Sequence, residues 1–460
     1  MTAKTTTNTP KKKKSLPPSK ASIWRPGLGI KRCFFALAAG FIFLCCGIIL
    51  LFSTTWALCV EESLTNASLN WLGWHISSFS VDIFLLVLGL VCLGWGLWRA
   101  ASFLYNASQA HPSSSMMDAL ALGRRRNYGL KIVALGGGTG LSTLLRGLKK
   151  YTSNITAVVS VSDNGGSSGR LSKELAMLPP GDIRNCLTAL ADDEDLLTEL
   201  FRFRFDKGES QSLGGHAFGN LFIAALNQIY GDFEVALKKG SALLAIRGRV
   251  LPATLTATVL CAKMRDGRII KGESEIPSAQ GEITDVFLEP GSCQAPPEVI
   301  KAIEEADAII LGPGSLYTSV MPNLLIKNIV KALERTEAPI IYVCNVMTQN
   351  GETDGYTAAD HLQAIYHHLK KPLVDYVIAN ASAPNKKLLE KYAKEGSKPV
   401  VLDYERLQSM GVHPVYAKLS KDEQLVRHDP DYLAEAIMDL LGEVKYRDGS
   451  EGADSMRSPN

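Results

Sequence analysis

Hydrophobic and polar positions divide this chain into two kinds of sequence. Near the amino terminus stand two long apolar runs, "CFFALAAGFIFLCCGIILLFSTTWALCV" (33–60) and "IFLLVLGLVCLGWGLW" (83–98), the second extended by "AASFLY" past Arg99, whose charged tip can snorkel. At about 1.5 Å per helical residue the first run covers a hydrocarbon core of roughly 30 Å, so the pattern predicts a two-helix transmembrane hairpin over 33–104. The connecting "EESLTNASLNWLGWHISSFS" has no Lys or Arg. Lys11–Lys14, Lys20, Arg25, Lys31, Arg32, Arg99 and Arg124–Arg126 flank the outer ends. The positive-inside rule then predicts a two-pass protein of the cytoplasmic membrane with the N-terminus and the C-terminal domain in the cytoplasm, and Trp56, Trp71, Trp74 and Trp98 suit the interfacial belts. A cleaved signal peptide is the alternative for the first run, against which the second run and the long basic leader argue.

From Tyr128 onward short apolar runs alternate with amphipathic stretches, the pattern of a parallel sheet wrapped by helices on both faces. Strands are predicted at "KIVALG", "ITAVVSV", "ADAIILG", "PIIYVCN" and "VDYVIAN", each followed by a loop rich in Gly, Asn or Ser. "TATVLCAKMRDGRIIKGESEI" predicts a small β-hairpin insertion turning at Asp266-Gly267. The α/β domain is bounded at 128–445. Residues 1–32 are expected to be a disordered basic leader, 105–127 a polar linker and 446–460 a disordered tail.

Composition changes this picture little. The chain has 460 residues, 46% hydrophobic and 21% charged, enough for more than one structural unit. A net charge of +3 implies no broad surface for nucleic acid. The nine cysteines show no CxxC pair and no zinc spacing, which points to reduced, structural thiols.

Candidate chemistry sits at the strand ends, where an open α/β sheet binds ligands. "LGGGTGLSTLLRGL" runs from a strand through Gly136, Gly137, Gly138, Thr139 and Gly140 into a helix with Leu at helical spacing; such a loop admits phosphate to backbone N–H groups, although it fits neither G-x-G-x-x-G nor a P-loop. "SDNGGSSGR" follows the next strand. There Asp163 can accept from a ribose or hold a Mg²⁺ that bridges phosphates, with Asn164, Gly165, Gly166 and Ser167 beside it; a plain Asp-Asn turn is the alternative. "PPGDIRNCL" offers Asp182 as a helix cap, with Arg184 and Asn185 behind it, and "LGGHAFGNLFIAAL" places His216 and Asn220 on one helical face. "LGPGSLYTSVMPNL" repeats the glycine theme with Gly314 and Ser315, and "CNVMTQNGETDGY" adds Asn345.

Seven motifs in this order, "GGGTGLSTLLRGL", "DNGGSSGRL", "PPGDIRNCL", "GGHAFGNLFIAAL", "IRGRVLPAT", "LGPGSLYTSV.PNL" and "CNVMTQNGETDGY.A.DH", resemble the gluconeogenesis factor family within the 2-phospho-L-lactate transferase-like superfamily. The likeness covers nearly all of 130–445 and leaves the apolar amino-terminal part outside. It implies a Rossmann-like fold and binding of a nucleotide sugar, notably UDP-N-acetylglucosamine, coupled to cell shape and envelope growth on gluconeogenic carbon. It also implies that Tyr392 and Arg427 serve the UDP-sugar, by stacking and by bidentate pairing. The alternative is a Mg²⁺-dependent transferase using a nucleotide-diphosphate donor, with Asp163 as the metal ligand and Arg184 and His216 as catalytic candidates. Relatives often carry two aspartates where this chain has Asp163-Asn164, which favours binding over chemistry. A nicotinamide-dependent dehydrogenase is a third, weaker reading, and a homo-oligomer is left open.

Overall fold

The computed structural model describes residues 38–46, 48–49, 83–84, 86–95, 97–98, 129–192, 194–206, 213–382, 386–420 and 427–454. They fall in two units, the smaller one within Pro17–Arg124. In that unit the described residues are helical and approach each other at glycines: a Cβ on Gly40 would lie 2.8 Å from the Leu93 nitrogen, and one on Gly89 2.8 Å from the Leu44 nitrogen. Among the described residues no helix is long and apolar enough to cross a membrane. The transmembrane hairpin over 33–104, and the two-pass placement in the cytoplasmic membrane that rested on it, are therefore corrected. Apolar run length alone suggested a span, but a crossing needs about 20 residues of apolar helix, and no helix among the described residues meets that requirement. The leader 1–32 and all of the linker 105–127 lie outside the described residues.

The larger unit is built on a seven-stranded sheet. Its strands are β1 (Ile132–Gly136), β2 (Ile155–Val159), β3 (Arg249–Pro252), β7 (Ala308–Leu311), β8 (Ile340–Val343), β9 (Tyr376–Asn380) and β10 (His413–Ala417). Their order is β10-β9-β8-β7-β1-β2-β3, and every pairing is parallel. Both faces are buried, which explains the unbroken apolar runs. Ile132 and Ala134 of β1 join one core cluster, while Val133 and Leu135 join the other. The remaining strands, β4 (Val259–Met264), β5 (Ile269–Lys271) and β6 (Ile283–Glu289), form a separate antiparallel sheet in the order β5-β4-β6. The hairpin turns where expected: Gly267 N–H donates to the Met264 carbonyl at 3.0 Å and Arg268 N–H to Asp266 Oδ1 at 3.0 Å.

Five helices position the site: α1 (Gly138–Leu148), α2 (Gly166–Leu175), α3 (Gly181–Leu190), α4 (Glu194–Arg202) and α5 (Phe218–Tyr230). Leu141, Leu144, Leu145 and Leu148 of α1 are all fully buried, as their spacing predicts. The chain winds one way from β1 to β3 and the other way from β7 to β10, so the crevice opens between the loops that leave β1 and β7. The last helix, Pro430–Asp454, continues past the boundary at 445 that composition suggests. Cys186, Cys261, Cys293 and Cys344 are buried free thiols.

Candidate functional site at the sheet's carboxyl edge

The glycines after β1 first serve close packing. A Cβ on Gly137 would stand 2.5 Å from Ser160 Oγ and 2.8 Å from Asp182 Oδ2, and one on Gly140 only 2.4 Å from the Pro313 carbonyl oxygen. Their lack of a side chain thus lets α3 and the β7 loop close onto the start of α1. Gly138 N–H donates to Asp182 Oδ2 at 2.6 Å. Asp182 therefore does not cap its own helix as expected, since Pro180 is the N-cap there and no side chain caps it; instead it holds the amino end of α1. Burial pushes its carboxyl up to about 6, reinforced by Asp163 and opposed by the Gly138 bond and Arg184.

Asp163 sits one strand over, its Oδ1 accepting from Gly165 N–H at 2.9 Å in an Asx turn. Asn164 faces the small sheet: its Oδ1 accepts from Ser274 N–H at 3.1 Å and Ser274 Oγ at 2.9 Å, and its amide donates to Glu275 at 2.8 Å. An amide donates and accepts at once, which a second aspartate could not do. Ser162 Oγ donates to Glu273 at 2.8 Å. Burial raises the Glu273 carboxyl well above its ordinary value, and Asp182 and Asp163 raise it further. Sequence reasoning missed Glu273, because "KGESEI" reads only as hairpin. It missed Glu352 as well, a buried carboxyl that accepts from Ser315 Oγ and from Thr318 Oγ1 and is raised by burial.

The structure gathers five expected residues into one network. Ser167 Oγ lies 3.1 Å from His216 Nδ1 and accepts from Asn220 Nδ2 at 3.1 Å and Ala217 N–H at 3.3 Å. Arg184 donates to Asn220 Oδ1 at 3.1 Å and to Asn185 Oδ1 at 2.9 Å. His216 is buried, and burial followed by Arg170 lowers its pKa. Ser168 accepts from Gly181 N–H at 3.0 Å and so ties α2 to α3.

The remaining candidates are more dispersed. Gly314 lies against Ser319, and Asn345 donates to Gln349 at 3.3 Å just beyond β8. Tyr392, on the helix Lys386–Lys394, packs against Val346 and Met347. Arg427 is exposed. Burial lowers the pKa of its neighbour His428 to about 4, opposed by the backbone of Cys344. Among the described residues no three His, Cys, Asp or Glu side chains converge as a metal cage. A Mg²⁺ on Asp163 would have to complete its shell with ligand phosphates and water, a donor set that Mg²⁺ accepts.

Fold and site together define a doubly wound α/β protein with a polar cleft at the switch point of its sheet. The family model of 2-phospho-L-lactate transferase CofD matches residues 132–420. Gluconeogenesis factor of Halalkalibacterium halodurans is 48% identical over 310 residues, 67% of this chain and 95% of that protein, and that of Bacillus subtilis is 47% identical over 314 residues, 68% and 98%. A Nostoc protein that carries the same name provisionally is 46% identical over 423 residues, 91% of each chain, so its likeness reaches into the amino-terminal part. A crystal structure of a Bacillus halodurans protein superposes with a TM-score of 0.65 at 47% identity, covering 67% of this chain and 99% of that one. The chain belongs to the gluconeogenesis factor family, within the 2-phospho-L-lactate transferase-like proteins.

Proposed function

We propose that this chain is a regulator that binds a nucleotide sugar, UDP-N-acetylglucosamine, in the carboxyl-edge cleft, and that through it the protein supports cell shape and envelope growth on gluconeogenic carbon. The observation that carries the reading is the kind of group brought to the switch point. The loops after β1, β2, β7 and β8 supply glycines, amides and hydroxyls, which suit a diphosphate, a ribose and a sugar. The hydroxyl closest to a histidine, Ser167 Oγ, already accepts two N–H groups, so it is a held strut and not a free nucleophile. In this reading the Gly136–Gly140 loop and Gly314-Ser315 face the phosphates, Asn345 and Tyr392 the base or sugar, and Arg427 the diphosphate. Titration calorimetry of the full chain with UDP-N-acetylglucosamine tests it: binding is expected, and the absence of heat at millimolar ligand, with and without Mg²⁺, would sink it.

One observation favours a second reading, a transferase acting on a nucleotide-diphosphate donor. Asp163 raises the carboxyl pKa of Asp182, and Asp182 and Asp163 raise that of Glu273, a repulsion that a divalent cation bound with substrate phosphates would relieve. Here Asp163 would hold the ion and Arg184 and His216 would face the transferred group. Asp163→Asn discriminates: unchanged ligand affinity with and without Mg²⁺ removes this reading and leaves the regulator.

A further inference from the structure

Four arginines near the α2, α3 and α5 corner, Arg170, Arg184, Arg202 and Arg204, have no ion-pair partner among the described residues. Elsewhere the same fold neutralises such groups, pairing Arg146 with Glu194 and Arg247 with Asp192. Here neutral oxygens do the holding. Arg170 donates to the Gly214 carbonyl at 3.0 Å, Arg204 to the Gly215 carbonyl at 2.9 Å, and the half-buried Arg184 to two asparagine oxygens. Burial lowers the pKa of Arg184, and Arg204 lowers it further; Arg204 acts on His216 in the same sense, so it stands within electrostatic reach of both. Asp182, Asp163 and Glu174 oppose these effects without pairing. Asp182 and Asp163 are spent on backbone N–H groups.

The hydrogen-bond network also fixes a proton. Ser167 Oγ accepts from Ala217 and Asn220, which leaves its single hydrogen for His216 Nδ1. His216 therefore carries its own proton on Nε2, for which no described residue is an acceptor. Two cationic forks, those of Arg170 and Arg204, thus sit on the carbonyls of Gly214 and Gly215, and a third, Arg184, is linked to His216 through Asn220 and Ser167, with donors left over, since each guanidinium has five.

We propose that these groups form an anion subsite for the phosphoryl group of a small phosphorylated molecule, held by Arg170, Arg184 and Arg204 and by the Nε2–H of His216. Donors brought by α2, by α3 and by the segments that end at Asp206 and begin at Leu213 come from several directions, which suits a tetrahedral dianion with three free oxygens better than a planar carboxylate. The subsite uses none of the β1 and β7 loop residues, so it stands or falls apart from the nucleotide-sugar reading.

The test is titration of the full chain with inorganic phosphate, followed by calorimetry and ³¹P line broadening, with acetate as the planar control. Phosphate is expected to bind, acetate to bind more weakly, and Arg204→Gln to weaken phosphate about tenfold, the effect of losing one charge-assisted hydrogen bond. Arg204 is exposed, so circular dichroism should report an unchanged fold for that variant. His216→Gln, which keeps an N–H near the Nε2 position, is expected to retain phosphate better than His216→Phe. UDP-N-acetylglucosamine affinity should be the same in Arg204→Gln as in the parent chain. No phosphate binding, equal binding by Arg204→Gln, or displacement of phosphate by the nucleotide sugar with no effect of Arg204 would each overturn the proposal.

Discussion

On the acidic wall of the cleft, Asp163, Asp182 and Glu273 each accept a hydrogen bond from the protein itself, and burial and mutual repulsion raise two of them. On the basic wall, Arg170, Arg184 and Arg204 rest on carbonyls and amides and have no ion-pair partner among the described residues. The acidic wall is thus part of the framework: its carboxylates fix the amino end of α1, an Asx turn and the small sheet. The basic wall is held in place by neutral groups and keeps its charge for something else. Substitutions in the first should move stability, and substitutions in the second should move binding.

The largest expected effect concerns Asp182. Its folded pKa of about 6 lies above the unfolded value near 3.8, so the folded state binds the extra proton. Stability is then full below about pH 4 and falls as pH rises through about 6, by roughly 3 kcal/mol in all. Urea unfolding across that window should show this slope in the parent chain and a flatter one in Asp182→Asn; parallel curves would place the charge problem elsewhere. Gly137→Ala, whose Cβ would press on Ser160 and Asp182, should cost about 2 kcal/mol in the same assay. Asn164→Ala breaks the bonds to Ser274 and Glu275 and should cost about 1 kcal/mol, with faster amide exchange at Ser274 as its local signature. Arg204→Gln closes the series with a change within about 0.5 kcal/mol. A loss as large as that of Gly137→Ala would erase the contrast between the walls.

The central strands were legible in sequence because a parallel sheet buried on both faces writes short unbroken apolar runs; β1, β2, β7, β8 and β9 all read that way. The edges were not. β3 reads "RVLP" and β10 "HPVYA", each short, with proline and a polar residue, since an edge strand has one partner and less burial. The amino-terminal runs were read from apolar length alone, whereas among the described residues no helix is long and apolar enough to cross a membrane. Within the site, residues that follow a strand directly, such as Gly137 and Asp163, announced themselves through glycine and turn chemistry. Glu273 and Glu352 did not, because nothing local marks them. Glu273 meets Ser162 across 111 positions of sequence, and only the fold brings the two together. Ser167 was visible as a loop residue, but its role in setting the His216 tautomer needed the positions of Ala217 and Asn220.

The place of β1 in the sheet also sets an order of events during synthesis. Ile132 pairs with Ile155 on one side and with Ala308 on the other. The first neighbour leaves the ribosome soon after β1, whereas the second follows only after the whole antiparallel insertion has been made. Throughout that interval a strand that is interior in the finished sheet is an open edge on the nascent chain, and a non-local closure of this kind is slow. A growing polypeptide of this design must keep a fully buried strand half-paired until residue 311 emerges, an exposure during which partly folded chains are prone to associate.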